Sequence, residues 1–345
     1  MHRKLLASLL AVVAALVVAA CGGASDEVGG GAGSTASGGS SAATAKLDLV
    51  AYAVPKVGFD RVIPAFQKTE AGQSVTFSQS YGASGDQSRK VASGLGADVV
   101  NFSVEPDVTR LVKAGLVDPG WNAGEHKGVP FGSVVTIVTR KGNPRHIRDW
   151  DDLLQPGLEI VTPNPFSSGS AKWNLLAPYA AASDGGKDPK AGLDYLRKLI
   201  GDHVKVQPKS GREATETFLQ GTGDVLLSYE NEAIFIERKG EDVEHVTPPQ
   251  TFKIENPVAV VKTTKFPDQA NAFVTFLYTP EGQREWAKAG FRPVDAKVAE
   301  EFAGDFPAPR TLHTIAGLGG WKKVDADFFD PDTGSVAKIY DQATS

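Results

Sequence analysis

Three times in this chain an extended run passes through small polar residues into a helix start. Ser74-Val75-Thr76-Phe77-Ser78-Gln79 leads to Ser84-Gly85-Asp86-Gln87. Leu158-Glu159-Ile160-Val161 leads through Thr162-Pro163-Asn164-Pro165 to Ser167-Ser168-Gly169-Ser170. Val204-Lys205-Val206 leads to Ser210-Gly211-Arg212-Glu213. Strands that feed helices through short turns belong to an α/β fold with a largely parallel sheet. There the helix starts share one rim, at the carboxyl ends of the strands. The first N–H groups of a helix have no partner inside it, and the helix dipole adds about half a positive charge there. Such a start can take an anion with uncharged donors. It is also the form of an ordinary capped helix, and Ser84 with Gln87 and Ser210 with Glu213 stand at capping-box spacing. Recurrence of the pattern in both halves of the chain is what points to a site.

The remaining elements fit the same rhythm. Leu47 to Tyr52 reads as the first strand, Phe59 to Lys68 as a helix with Pro64 inside it, and Ala97 to Phe102 as another strand. Thr109 to Ala114 reads as a helix ended by Gly115. Ser133 to Thr139 and Asn256 to Val261 are two longer β-branched runs. The pattern restarts after the first, with a short helix at Trp150–Leu154, helices at 194–200 and 211–219, and a strand at 224–229. Helices at 268–277 and 281–288 follow the second run. Two α/β halves joined by two extended runs predict two lobes, two crossover strands and a ligand cleft between the lobes.

The N-terminus sets the compartment. Met1-His2-Arg3-Lys4 is basic, Leu5 to Ala20 is apolar, and the run is short of the roughly 20 residues that a span needs. This is a secretory signal. Val18-Ala19-Ala20-Cys21 is similar to a bacterial lipobox, with Val where Leu is commoner. Cys21 is the one cysteine, so no internal disulfide can form, and lipidation gives it a role. Gly22 to Thr44 is Gly, Ser and Ala with almost no large apolar residue and reads as a flexible tether. The formal net charge of −5 leaves no basic block for a nucleic acid. It also means that an anion site cannot rely on a positive surface.

Other chemistries have little support. There is no Gly-x-Ser-x-Gly turn, and Ser167 and Ser168 have no histidine nearby. His126, His146, His203, His245 and His313 are scattered without metal spacing, and most of them read as surface residues. No catalytic residue, metal site or cofactor is expected. A ferric-ion receptor using Tyr52, Tyr81 and Tyr229, a hydrolase and a structural surface lipoprotein are the weaker alternatives.

A resemblance sharpens the reading. Ala97-Asp98-Val99-Val100, Arg140-Lys141-Gly142-Asn143-Pro144, Asp149-Trp150-Asp151-Asp152-Leu153, Thr162-Pro163-Asn164-Pro165 and Ser167-Ser168-Gly169 stand in order. Gly223-Asp224-Val225-Leu226, Glu230-Asn231-Glu232-Ala233, Tyr278-Thr279-Pro280-Glu281-Gly282-Gln283, Phe291-Arg292-Pro293 and Gly319-Gly320-Trp321 follow. Over nearly the whole body, Leu47 to Phe329, the chain resembles the periplasmic sulfate-binding proteins of bacterial ABC transporters. The resemblance implies a two-lobed α/β type II binding-protein fold, each lobe a mainly parallel sheet flanked by helices. Its expected divisions are a signal at 1–20, lipidated Cys21 with a tether over 21–45, one lobe from 46–133 plus 262–345, and the other from 134–261.

It also implies a monomeric, exported receptor, lipid-anchored to the outer face of the cell membrane, that passes sulfate to permease subunits. Backbone N–H groups of Ala53, Ser84, Gly169, Ser170 and Gly211 would hold the anion, with the hydroxyls of Ser168 and Tyr229. Ala53 stands where relatives have aspartate, Ser170 where they have a second glycine, Gly211 where they have alanine and Tyr229 where they have tryptophan. Arg212 is the neighbouring alternative to Gly211. Thiosulfate, molybdate, tungstate and phosphate are the alternative ligands. Asp86, Glu213 and Glu230 lie close to these donors and read as helix-start charges.

Overall fold

The computed structural model describes residues 45–344. The signal, Cys21 and the tether lie outside the described residues. Within them the strands run β1 (Ala45–Tyr52), β2 (Val75–Gly82), β3 (Val99–Asn101), β4 (Phe131–Arg140), β5 (Ile160–Val161), β6 (Val204–Val206), β7 (Val225–Tyr229), β8 (Val243–Val246), β9 (Gln250–Glu255), β10 (Val258–Val260), β11 (Arg292–Pro293) and β12 (Thr311–His313).

They form two sheets. The first has the order β10-β3-β1-β2, with β1 parallel to both β2 and β3 and β10 antiparallel to β3. The second has the order β12-β9-β4-β7-β5-β6, with β8 and β11 also paired to β4. This second sheet is mixed, not mainly parallel as expected. Its long strand β4 runs antiparallel to β7, β8 and β9, whereas β5 is parallel to β6 and β7. Nine of the ten residues of β4 are buried, and its β-branched run Val134 to Thr139 supports neighbours on both edges.

The run expected as one strand over Asn256 to Val261 is broken. Pro257 has no N–H for a ladder, so pairing stops there, and only Val258–Val260 forms a strand, in the first sheet. Asn256-Pro257 is thus one connection between the sheets. The Pro257 carbonyl accepts the Phe102 N–H at 3.0 Å and Asn101 Nδ2–H at 2.9 Å. Residues 102–130 form a second connection, and residues 261–291, between β10 and β11, a third.

Each lobe has its own core. In the first, Trp286 packs its edge on Phe59 and Phe291, with Phe131 at 4.1 Å between ring centres. Gly58 makes room for it: a Cβ there would lie 2.1 Å from Trp286 Cζ3. In the second, Val135, Ile137 and Leu227 of the sheet pack with Trp173, Leu176 and Leu196. Of the span 262–345 assigned to the first lobe from sequence, helices Pro267–Phe276 and Pro280–Lys288 pack on the first sheet. The rest does not. β12 pairs with β9, and Ile315, Trp321, Val324, Phe329 and Val336 sit in the second core, with Trp321 edge-on to Trp173. Apolar side chains this large need a partner surface, and the second lobe supplies it. Pro64 is exposed within helix Lys56–Phe66, so its ring faces solvent near the helix end. Of the scattered histidines, His203 is buried, with Nδ1 3.0 Å from the Leu158 carbonyl.

One ion pair in the second lobe makes stability depend on pH. Burial alone would lower the pKa of His245, but Glu237 Oε1 lies 2.7 Å from Nδ1, and the net direction is upward. A histidine held above its unfolded pKa contributes stability that is complete below about pH 6.5 and lost as pH rises through the folded-state value. His245→Gln is expected to lower stability by about 0.2–1 kcal/mol at about pH 5.5 and by less at about pH 8.5. Urea unfolding at the two pH values is the check, and an equal loss at both would contradict the pairing.

Candidate functional site

The helix starts after β2, β5 and β6 face one another across the two lobes. Helix Ser84–Ala92 begins after Ala83 with no side-chain cap. Helix Gly169–Ala182 begins after Ser168, whose hydroxyl likewise does not cap it. Helix Gly211–Leu219 begins after Ser210, which accepts the Glu213 N–H at 3.2 Å. A fourth helix, Glu230–Arg238, missed from sequence, begins directly after β7 with Tyr229 as its uncapped first flank. Each start keeps N–H groups that its own helix does not use.

Loop contacts hold these starts together. The Gly85 N–H, in the first lobe, donates to the Ser167 carbonyl, in the second, at 3.1 Å. The turn before Gly169 is clipped to the loop before Gly211. The Asn164 N–H donates to the Pro208 carbonyl at 2.9 Å, and Ser167 Oγ–H to the Lys209 carbonyl at 2.9 Å. A Cβ at Gly169 would lie 2.7 Å from Ser103 Cβ and 2.9 Å from Ser103 Oγ, so this helix start abuts the end of β3. A Cβ at Gly211 would lie 3.1 Å from both Ser170 Oγ and Val54 Cγ2. Ala53, next to Val54, sits in the bend after β1 and accepts the Lys56 N–H at 3.4 Å.

The expected site residues therefore gather from both lobes. Ser84, Ser168, Ser170 and Tyr229 are buried there, and Ala53 is half-buried. Ser84 offers its backbone only. Its hydroxyl donates to Asp107 Oδ2 at 2.6 Å and accepts the Ser103 N–H at 2.9 Å. Tyr229 Oη lies 2.7 Å from Ser103 Oγ, with Ser170 and Asn256 also beside it. Burial holds this phenol well above its usual range, so it stays neutral. Gly211 is the first residue of its helix. The Arg212 side chain turns to Glu232, at 3.1 Å, and to the Phe235 ring.

The nearby carboxylates are engaged elsewhere. Asp86 pairs with Arg89. Glu213 accepts the Ser210 hydroxyl at 3.2 Å and the Lys209 N–H at 3.3 Å. Glu230 takes a two-pronged bond from Arg292, at 2.6 and 2.8 Å. Glu232 is fully buried, and burial raises its pKa against the pull of Arg212. The site is thus lined by amide and hydroxyl donors, and charge enters only through residues already paired. That donor set can strip water from a small anion that carries no proton.

Other groups do not converge. Tyr81 Oη donates to Gln79 Oε1 at 2.6 Å and Tyr229 pairs with Ser103, whereas Tyr52 is buried within electrostatic range of Tyr229. Among the described residues no cluster of His, Cys, Asp and Glu is placed to hold a metal, and no helix is long and apolar enough to cross a membrane. A cavity of about 440 Å³ in the second lobe is lined by Asp149, Trp150, Asp194, Tyr195 and Lys198, and by none of the helix-start residues. Sequence reasoning missed Ser103, Trp173 and Asn256. Asn256, just before a proline that breaks a strand, was the one that carried a visible signal.

Comparison with known proteins agrees with this geometry. A family described as bacterial extracellular solute-binding protein matches residues 47–292. The chain is 43% identical over 295 residues to a sulfate-binding protein of Synechococcus elongatus, covering 82% of this chain and 83% of that one. It is 34% identical to a thiosulfate-binding protein of Pseudomonas aeruginosa, covering 84% and 91%. Among solved structures, the sulfate-binding protein SubI from Mycobacterium tuberculosis is similar at 62% identity and a TM-score of 0.82, covering 83% of this chain and all of that one.

Proposed function

Because this chain belongs to the bacterial extracellular solute-binding proteins, we propose that it captures sulfate between its lobes and delivers it to an ABC importer. The observation that carries the reading is the meeting of uncapped helix starts from opposite lobes around buried serines, with the neighbouring carboxylates already paired. Backbone N–H groups of Ala53, Ser84, Gly169, Ser170 and Gly211, with the Ser168 hydroxyl and the Ser103–Tyr229 pair, are the proposed donors. A desolvated dianion needs many such bonds, since each one left unmade costs about 1–3 kcal/mol.

In this reading the protein binds and releases its ligand unchanged, without catalysis or cofactor. Cys21 carries the lipid that holds a monomeric receptor to the outer face of the membrane, and residues 22–44 are its tether. Thiosulfate is the second reading, favoured by the similarity to a thiosulfate-binding protein. Calorimetric titration of the chain from Gly22 onward with sulfate, thiosulfate and phosphate tests the proposal. Saturable one-to-one binding of sulfate supports it, and absence of heat with sulfate and thiosulfate alike removes it.

A further inference from the structure

Ser103 stands two residues beyond β3, at the edge of the first lobe, and is fully buried. All its polar atoms are used. Its N–H donates to Ser84 Oγ at 2.9 Å. Its carbonyl accepts Trp173 Nε1–H at 2.8 Å, from the second lobe, and Asn256 Nδ2–H at 2.9 Å, from the connection between the sheets. Its hydroxyl lies 2.7 Å from Tyr229 Oη, again in the second lobe. Cβ and Oγ of Ser103 also bear directly on Gly169.

We propose that Ser103 is a positioning residue for the anion. It orients the Tyr229 hydroxyl through their mutual hydrogen bond and makes that orientation available only when the lobes are closed. The inference rests on the sulfate reading above. Two hydroxyl groups carry two hydrogens, and the bond between them uses one. The other needs an acceptor in a water-free cleft, where an idle donor is costly. Ser170 and Asn256, beside the Tyr229 hydroxyl, offer neutral acceptors, and an anion among the helix starts is the stronger one because it is charged. Rotation of the lobes apart breaks both the Ser103–Tyr229 and the Trp173–Ser103 contacts, so the aligned donor exists in the closed form alone.

The experiment is a double-mutant cycle on sulfate affinity and release rate, with Ser103→Ala, Tyr229→Phe and the double variant. Each single change is expected to weaken binding by about tenfold, mainly through faster release, and the double change by about the same tenfold. Melting of the sulfate-free protein is expected to move little, which separates positioning from structural support. Losses that multiply to about a hundredfold, or an unchanged release rate in Tyr229→Phe, whose ring stays in place, would overturn the inference while leaving the sulfate reading intact. Failure of the unaltered protein to bind sulfate would remove both.

Discussion

Gly169→Asp is expected to abolish sulfate binding, and Gly169→Ala to weaken it by about 10- to 100-fold. The backbone at this position is not in the left-handed region, so alanine adds no local strain, and it is a better helix former than glycine. The effect comes from the other lobe. A Cβ would stand 2.7 Å from Ser103 Cβ, closer than such atoms approach, and at a tight 3.2 Å from Val104 Cγ1. Ser103 cannot yield easily, because its N–H, carbonyl and hydroxyl are all bonded. The lobes would have to stop short of closure, lengthening the bonds from Gly169, Ser170 and Ser84 together. Hydrogen bonds to a charged group contribute about 1.5–3 kcal/mol each, so loss of one accounts for the alanine effect. Aspartate adds a carboxylate that competes for the same N–H groups and repels the dianion. Calorimetry on both variants, with melting curves to confirm the fold, is the check. Retained affinity in a folded Gly169→Asp protein would place the anion elsewhere.

Sulfate is expected to bind about 10- to 100-fold more tightly than phosphate at neutral pH. Sulfate accepts only, whereas phosphate keeps at least one proton there and so needs an acceptor. Asp86, Glu213 and Glu230, the carboxylates nearest the helix starts in sequence, are held by Arg89, by the Ser210 cap and by Arg292. Asp107 is held by Ser84 and Arg110. A phosphate proton would therefore find only neutral hydroxyl oxygens among amide donors, and where none turns to accept it the cost is about 1–3 kcal/mol. Moderately alkaline pH does not remove the last phosphate proton, so the preference should persist there. Equal affinities in paired titrations would mean that a carboxylate turns inward.

Much of this was legible from local pattern. Helix Gly211–Leu219 occupies the span expected for it, and β6 likewise, because small residues and capping spacing act over a few positions. What failed was non-local. Nothing near Ser103 signals that its carbonyl will meet an indole 70 positions away. The mixed second sheet arose because β4 takes antiparallel partners from three later segments, including β8 and β9, whose short runs carry weak periodicity. The misplaced C-terminal segment shows the same limit. Trp321 and Phe329 announce a buried face without saying which lobe covers it. Pro257 was the opposite case, since a residue without an N–H marked where the expected strand breaks.

The most direct test is an X-ray structure of the chain grown with sulfate. The expected result is one enclosed sulfate whose oxygens lie about 2.7–3.2 Å from the backbone nitrogens of Ser84, Gly169, Ser170 and Gly211, with no carboxylate oxygen in contact. A sulfate confined to an outer surface, or one facing Asp86, Glu213 or Glu230, would contradict the account.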